Sequence, residues 1–204
     1  MRIDDAAAHS SGPADADSLL LLLHGRGADE RDLLPLADAL HLPDRIVALR
    51  GPLPWQGGRA WAEPAADVGG GIGLDEAAAA VLEWLDREAA AGRGAKRIRL
   101  LGFSQGGAVA LQLLRTAPRR FAAAVVLSGF LPTVDGPADD ELARLRPPVL
   151  WGRGAIDPVI PASAIERTRG WLEGHATADE RVYPMLAHGV AAAELADVAA
   201  FLAA

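Results

Sequence analysis

The sequence predicts an α/β protein with a mostly parallel central sheet and helices on both faces. Short apolar runs alternate about six times with longer segments of helical periodicity. The apolar runs have no polar face, as expected for strands that are covered on both sides. Such an alternation indicates parallel strands joined by right-handed crossovers. The length of 204 residues fits one domain, residues 1–204, and the chain shows no internal repeat or linker.

The N-terminal quarter supplies the first strands. Residues 1–8 are predicted as a short edge strand, and residues 10–13 as a turn. Residues 18–23 contain five consecutive leucines and are predicted as a buried strand. Residues 33–40 carry apolar side chains at helical spacing, and residues 45–49 form a second apolar run. This quarter therefore predicts strand, helix, strand.

Residues 50–73 are predicted as one long loop that contains three prolines, two tryptophans and seven glycines. Loops of this length inside a compact domain are usually functional. Residues 74–91 have helical periodicity, and Gly92 follows as a terminator. We therefore expect a functional loop followed by a long helix.

The centre of the chain is a strand, a sharp turn and a helix. An apolar run begins at residue 97, the turn Gly102-Phe-Ser104-Gln-Gly106 follows, and helical spacing continues to about residue 116. A serine at the apex of such a turn is typical of a nucleophile elbow. The two glycines fit this interpretation, because a Cβ at either position would crowd the adjacent strand or helix.

The remainder of the chain continues the alternation. The predicted strands are residues 121–127, 148–151 and 180–183, and the predicted helices are residues 139–145, 162–173 and 191–204. In a sheet of this kind, ligands bind at the carboxyl ends of the strands. Functional residues should therefore follow strands rather than precede them.

Composition excludes several classes of function. The formal net charge is −7, which argues against a nucleic-acid partner and against electrostatic attachment to a membrane. The chain has no cysteine, so disulfides, zinc–thiolate sites and a cysteine nucleophile are excluded. The polar, acidic N-terminus does not resemble a signal peptide, which favours a cytoplasmic location. No metal or cofactor motif occurs, and a monomer and a homodimer both remain open.

One histidine and one aspartate follow strands in the way that a catalytic serine requires. His188 follows the last predicted strand, and Asp157 follows residues 148–151 in a segment stiffened by Pro158 and Pro161. The other candidates for the two roles are less well placed. They lie before the last predicted strand, at a helix end or in polar segments: His9, His41 and His175, and Asp135, Asp139 and Asp140. The order Ser104, Asp157, His188 is that of α/β-hydrolases.

An oxyanion hole needs two fixed N–H donors. The amide of Gln105 follows the serine directly, and the amide of Arg26 lies in the loop after the five leucines. The alternative interpretation of Gly25-Arg26-Gly27 is part of a dinucleotide-binding motif. That motif requires glycine or alanine at the position that Glu30 occupies, so we set it aside.

These segments together resemble the phospholipase/carboxylesterase family, over nearly the whole chain after Ser18. The resembling blocks are residues 24–29 (HGRGAD), 32–37 (DLLPLA), 102–107 (GFSQGG), 127–132 (LSGFLP), 157–161 (DPVIP) and 188–189 (HG). The resemblance implies an α/β-hydrolase fold without a large cap domain and hydrolysis of small-molecule esters or thioesters without a cofactor. It assigns Ser104, Asp157 and His188 to the triad, and Arg26 and Gln105 to the oxyanion hole.

The long loop is the predicted substrate-binding segment. Trp61 and Leu53 are predicted to line the acyl side of the cleft, together with Trp55. The family usually has phenylalanine where this chain has Ala62, and the glycines at positions 69, 70, 71 and 73 favour mobility over a rigid lid. These features predict an open cleft for small to medium acyl groups. The alternative is that the tryptophans pin the loop to the body of the protein.

Four other functions remain open at this stage. A thioesterase or an acyltransferase would use the same triad, and a peptidase of similar fold usually carries an extra domain. A non-catalytic binding protein of this fold typically lacks a triad residue, whereas this sequence retains all three. Carboxylic ester hydrolysis is therefore the prediction, with these functions as alternatives.

Overall fold

A seven-stranded sheet lies at the centre of the computed structural model, which describes residues 1–63 and 73–204. The strands are β1 (His9–Ser11), β2 (Ser18–Leu23), β3 (Arg45–Leu49), β6 (Arg97–Phe103), β7 (Ala123–Leu127), β8 (Pro148–Gly154) and β9 (Thr177–Tyr183). A separate hairpin is made by β4 (Leu53–Trp55) and β5 (Gly58–Ala60). The helices are α1 (Leu34–Ala39), α2 (Leu74–Ala90), α3 (Gln105–Thr116), α4 (Asp139–Leu145), α5 (Ala162–His175) and α6 (Ala192–Ala203).

The strand order places a topological switch point beside the predicted elbow. The order is β1-β3-β2-β6-β7-β8-β9, and every pair is parallel except β1 with β3. From β2 the chain passes to β3 on one side and later to β6 on the other, so the order reverses between β2 and β6. Ligands bind in such a crevice at the carboxyl ends of the strands. The segments that follow β2 and β6 are those that contain Arg26 and Ser104.

Alternate residues of the buried strands support opposite faces of the sheet. Leu19, Leu21 and Leu23 of β2 belong to the core under α2, α3, α4 and α5, whereas Leu20 and Leu22 belong to the core under α1 and α6. The run of five leucines is therefore explained by burial on both faces. The α/β-hydrolase fold, with a mostly parallel sheet and helices on both faces, is confirmed. No helix within the described residues is long and apolar enough to cross a bilayer.

Several predicted strands have different bounds in the structure, and two of them lie at the edges of the sheet. The N-terminal edge strand is His9–Ser11 and not residues 1–8, where a turn of 3₁₀ helix spans Asp5–Ala7. Strand β9 begins at Thr177 rather than at residue 180, and β8 extends to Gly154. An edge strand is exposed and has no buried pattern to reveal it. Its extent is instead fixed by pairing with its neighbour.

Residues 50–73 are not one continuous loop, because the β4–β5 hairpin lies within them. The hairpin turn has positive φ at Gln56 (44°) and Gly57 (86°). Two central residues with positive φ match the twist of a two-residue hairpin. The prediction of mobility rests on four glycines, and three of them, Gly69, Gly70 and Gly71, lie outside the described part of the chain.

Candidate active site

The elbow holds Ser104 in a strained backbone conformation between β6 and α3. Its φ is 52° and its ψ is −117°, and non-glycine residues with positive φ are uncommon. A Cβ at Gly102 would lie 2.3 Å from the carbonyl oxygen of Gly106, and a Cβ at Gly106 would lie 1.9 Å from that of Leu23. The predicted reason for both glycines is thus confirmed, since backbone contacts leave no room for a side chain.

A chain of hydrogen bonds joins the three residues that the sequence singled out. The Nε2 atom of His188 lies 2.9 Å from Ser104 Oγ, and its Nδ1 atom lies 2.8 Å from Asp157 Oδ2. The other carboxylate oxygen of Asp157 accepts the N–H groups of Val159 (2.7 Å) and Ile160 (3.2 Å). The Asp157 side chain is 2% exposed. This arrangement places the proton on Nδ1 and leaves the Nε2 lone pair toward the serine.

The competing residues have other contacts. Asp139 pairs with Arg115, and His175 stacks on Trp171 with a centroid distance of 4.7 Å. His41 is exposed, and its Nδ1 atom lies 2.9 Å from the Ala39 carbonyl. Asp135 accepts the Gln112 side chain through its backbone carbonyl. None of these contacts joins a competitor to Ser104 among the described residues.

The β4–β5 hairpin supports the loop that contains Arg26. The N–H of Gly27 donates to the Arg59 carbonyl at 2.8 Å, and the N–H of Arg59 donates to the Ala28 carbonyl at 2.8 Å. The Arg26 guanidinium lies 5.6 Å from the centroid of the Trp55 ring. The amide of Gln105 is at the first position of α3, where an N–H has no acceptor within the helix. Two backbone donors predicted from sequence are therefore held on braced segments.

His24 is a buried site residue that the sequence reasoning did not identify. Its Nδ1 atom lies 2.7 Å from the Gly25 carbonyl, and its Nε2 atom accepts the N–H of Gly51 at 2.9 Å. Burial lowers the pKa of His24, which favours the neutral ring that these two bonds require. His24 thereby joins the segment after β2 to the segment after β3. Its position directly after a buried strand was the available signal.

Trp61 is an anchor for the segment after β5 in this structure. Its side chain is completely buried, and its Nε1 donates to the His24 carbonyl at 2.8 Å. The Gln105 side chain accepts the N–H of Trp61 at 2.8 Å and donates to the Ala62 carbonyl at 3.0 Å. The prediction that Trp61 lines the cleft is therefore corrected in favour of the pinning alternative, because it has no accessible surface.

The other parts of the cleft prediction have different outcomes. Ala62 is also completely buried, so the missing phenylalanine does not widen an exposed surface. Leu53 and Trp55 are half-buried on the hairpin and stay available to a ligand. No cluster of three or more potential metal ligands occurs within residues 1–63 and 73–204.

Glu194 is a buried carboxyl that braces the segment after His188. Its Oε2 atom accepts the N–H of Ala191 at 3.3 Å, and its Oε1 atom faces Gly152 without a hydrogen-bond partner among the described residues. Burial raises the pKa of Glu194 to about 7 from its ordinary value of 4.5, and Asp197 adds to the increase. The folded state therefore binds this proton more tightly than the unfolded chain does.

We expect Glu194 to make the protein less stable as the pH rises from about 4.5 to 7. Across this range the unfolded chain releases the proton first, so the free energy of unfolding should fall by roughly 3 kcal/mol on account of this group. Glu194→Gln should remove that part of the pH dependence, as measured by urea unfolding at pH 5 and pH 8. Glu166→Gln, at an exposed position on α5, is the control. An unchanged pH dependence in Glu194→Gln would contradict the assignment.

Comparisons with known proteins agree with the fold. A model of the phospholipase/carboxylesterase family matches residues 6–204. Carboxylesterase SOBER1 of Arabidopsis thaliana is 30% identical over 54% of this chain and 50% of its own length. Acyl-protein thioesterase 1 of Debaryomyces hansenii is 32% identical over 53% of this chain and 48% of its own length. The chain thus matches about half the length of these curated relatives.

A solved structure extends the similarity to nearly the whole chain. A carboxylesterase from Mesorhizobium loti superposes with a TM-score of 0.80 at 26% sequence identity. The superposition covers 92% of this chain and 89% of that one. Most of the strand and helix arrangement is therefore similar to that of a carboxylesterase.

Proposed function

The chain belongs to the phospholipase/carboxylesterase family, and from that premise we propose that it hydrolyses carboxylic esters through an acyl-enzyme on Ser104. The observation that carries this proposal is the hydrogen-bonded series Ser104–His188–Asp157, with distances of 2.9 Å and 2.8 Å. It stands at the carboxyl edge of the sheet, beside the switch point. We also propose small-molecule esters as substrates and a cytoplasmic location.

In the proposed mechanism, Ser104 Oγ attacks the ester carbonyl carbon while His188 Nε2 takes the hydroxyl proton. The amides of Arg26 and Gln105 bind the oxyanion that forms. His188 then gives the proton to the leaving oxygen, and the alcohol departs from the acyl-enzyme. Water attacks the acyl-enzyme, loses a proton to His188, and releases the carboxylic acid as Ser104 regains its proton. Asp157 orients the imidazole and stabilises its charged form throughout.

Thioester hydrolysis is the second candidate, because one of the relatives is an acyl-protein thioesterase. The same residues would act, with a thiol as the leaving group. Comparison of kcat/KM for an oxygen ester and a thioester with the same acyl group separates the two activities. Addition of a competing alcohol, followed by analysis for a transesterified product, tests the acyltransferase alternative.

We expect activity toward p-nitrophenyl esters to rise from acetate to medium chain lengths and then to level off. Each methylene that finds apolar surface on the half-buried Leu53 and Trp55 should contribute about 0.8 kcal/mol or less, which is about fourfold or less in kcat/KM. The measurement is kcat/KM from acetate to palmitate below the micellar concentration of each ester. A steady rise to palmitate would reject an open cleft, and absence of hydrolysis with every ester and thioester would reject the proposed function.

A further inference from the structure

An open, largely apolar pocket lies next to the proposed triad. Its volume is about 460 Å³, within the range of small-molecule sites. One wall is formed by Leu33 and Leu36, at and just before the start of α1, and another by Val190 and Leu195 near the start of α6. Phe103 lies between these walls. The proposed mechanism has not used this space.

We propose that this pocket binds the leaving alcohol or thiol of the substrate, with a preference for apolar groups that are neutral or cationic. The inference rests on the proposed function and names a substrate class for the same site. It comes from the position of the pocket relative to His188 and from the single charge on its lining.

Three features relate the pocket to Ser104 and His188. Phe103 directly precedes Ser104, and its ring centroid lies 5.1 Å from that of His188. Val190 follows His188 by two residues. Gly25 leaves space for the Phe103 ring, since a Cβ there would lie 2.8 Å from the Phe103 Cδ1 atom. The pocket is therefore bounded by segments that lead directly from the serine and the histidine.

The chemistry assigns this side of the serine to the leaving group. His188 Nε2 must reach the leaving oxygen or sulfur to protonate it, so that atom has to lie between Ser104 and His188 in the transition state. A substituent on that atom extends past the imidazole, and the Phe103 ring lies beside the imidazole with the two ring planes at 45°. The apolar walls then favour a hydrocarbon group through burial of its surface.

Asp32 sets the charge preference of the pocket. Of the described residues that line the pocket, Asp32 alone carries a charge. Its carboxylate makes no hydrogen bond or ion pair with the described part of the chain. Asp32 is exposed at the rim of the pocket, and desolvation raises the pKa of its carboxyl, with Asp29 adding to the increase and His24 opposing it. A cationic group on the ligand would stabilise the carboxylate, whereas an anionic group would be repelled.

Two adjacent alanines provide a matched test of the pocket. Ala192 and Ala193 are both exposed in the first turn of α6, and Ala192 lines the pocket whereas Ala193 does not. Ala192→Trp should lower kcat/KM for hexyl butanoate at least tenfold relative to methyl butanoate, measured by acid release in a pH-stat. Ala193→Trp should keep the wild-type ratio.

Esters that differ only in the acyl group distinguish an effect on acyl binding from an effect on leaving-group binding. All butanoate esters form the same acyl-enzyme, so an effect on its hydrolysis cannot change the ratio between two alcohols. With one alcohol held constant, Ala192→Trp should preserve the shape of the acyl-length profile. A profile that changes with acyl length but not with the alcohol would overturn the assignment, as would an unchanged alcohol ratio.

A pair of esters of equal shape tests the charge. Choline butanoate and 3,3-dimethylbutyl butanoate differ in the positive charge of the alcohol, and the wild-type protein should prefer the choline ester about fivefold at low salt. Asp32→Asn should abolish this preference, whereas Asp38→Asn, at an exposed position of α1 outside the lining, should retain it. Persistence of the preference in Asp32→Asn would overturn the role of Asp32. Hydrolysis without any dependence on the alcohol rejects the pocket alone, and absence of all ester hydrolysis rejects the proposed function with it.

Discussion

Replacement of Ser104 by alanine is expected to lower kcat by a factor of about 10⁶ while the protein stays folded. Alanine removes the Oγ atom that lies 2.9 Å from His188 Nε2, and no other nucleophile is placed at the elbow. The strained backbone at φ 52° is retained in the variant, because alanine keeps the Cβ that serine already places there. The loss should therefore reflect chemistry and not unfolding.

Covalent labelling provides the decisive measurement for Ser104. An organophosphonate should add once to the wild-type chain of six serines, as seen by intact mass, and should not add to Ser104→Ala. Ser163→Ala, at an exposed serine on α5, is the matched control and should label like the wild-type protein. Continued labelling of Ser104→Ala would show that the nucleophile is elsewhere.

Replacement of Asp157 by asparagine is expected to lower activity by about 10⁴. Asp157 Oδ2 accepts the Nδ1–H of His188 at 2.8 Å, and this bond selects the tautomer whose Nε2 can take the serine proton. Asparagine can still accept the N–H groups of Val159 and Ile160 through its carbonyl oxygen. Its NH₂ group would then face Nδ1 and favour the wrong tautomer, so geometry survives while proton transfer fails.

The matched control for Asp157 is Asp135→Asn, which follows the preceding strand. The backbone carbonyl of Asp135 accepts a hydrogen bond from the Gln112 side chain. The substitution keeps that carbonyl, so activity should be nearly unchanged. Thermal unfolding of both variants checks that the comparison is between folded proteins. If Asp135→Asn is the inactive one, the acid belongs to the earlier strand and the proposed triad is wrong.

Several parts of the fold and site follow from local sequence patterns. Strands β2 and β3 have the predicted bounds, because a strand buried on both faces is an uninterrupted apolar run. The elbow is equally local, since its two glycines are required by contacts within the strand–turn–helix unit and with the neighbouring strand β2. Ser104, Asp157 and His188 could be selected together because each follows a strand of a parallel sheet.

Other features depend on partners that are distant in the chain. Strand β1 has three largely exposed residues, and only its antiparallel pairing with β3 makes it a strand. The β4–β5 hairpin had a local signal in Gln56-Gly57, which resembles the Asn-Gly turn, but the prolines around it favoured a loop. The anchoring of Trp61 required the Gln105 side chain and the His24 carbonyl, which lie 44 and 37 residues away in sequence.

The sequence by itself determined the α/β class, the elbow and the three residues of the proposed triad, because each depends on short-range spacing and on the rule that sites follow strands. Only the tertiary structure decided that Trp61 is buried, that burial lowers the pKa of His24, and that burial raises the pKa of Glu194 to about 7. It also revealed the pocket between the starts of α1 and α6. Burial and pairing of these groups arise from contacts between elements that are far apart in the chain, and no local pattern encodes those contacts.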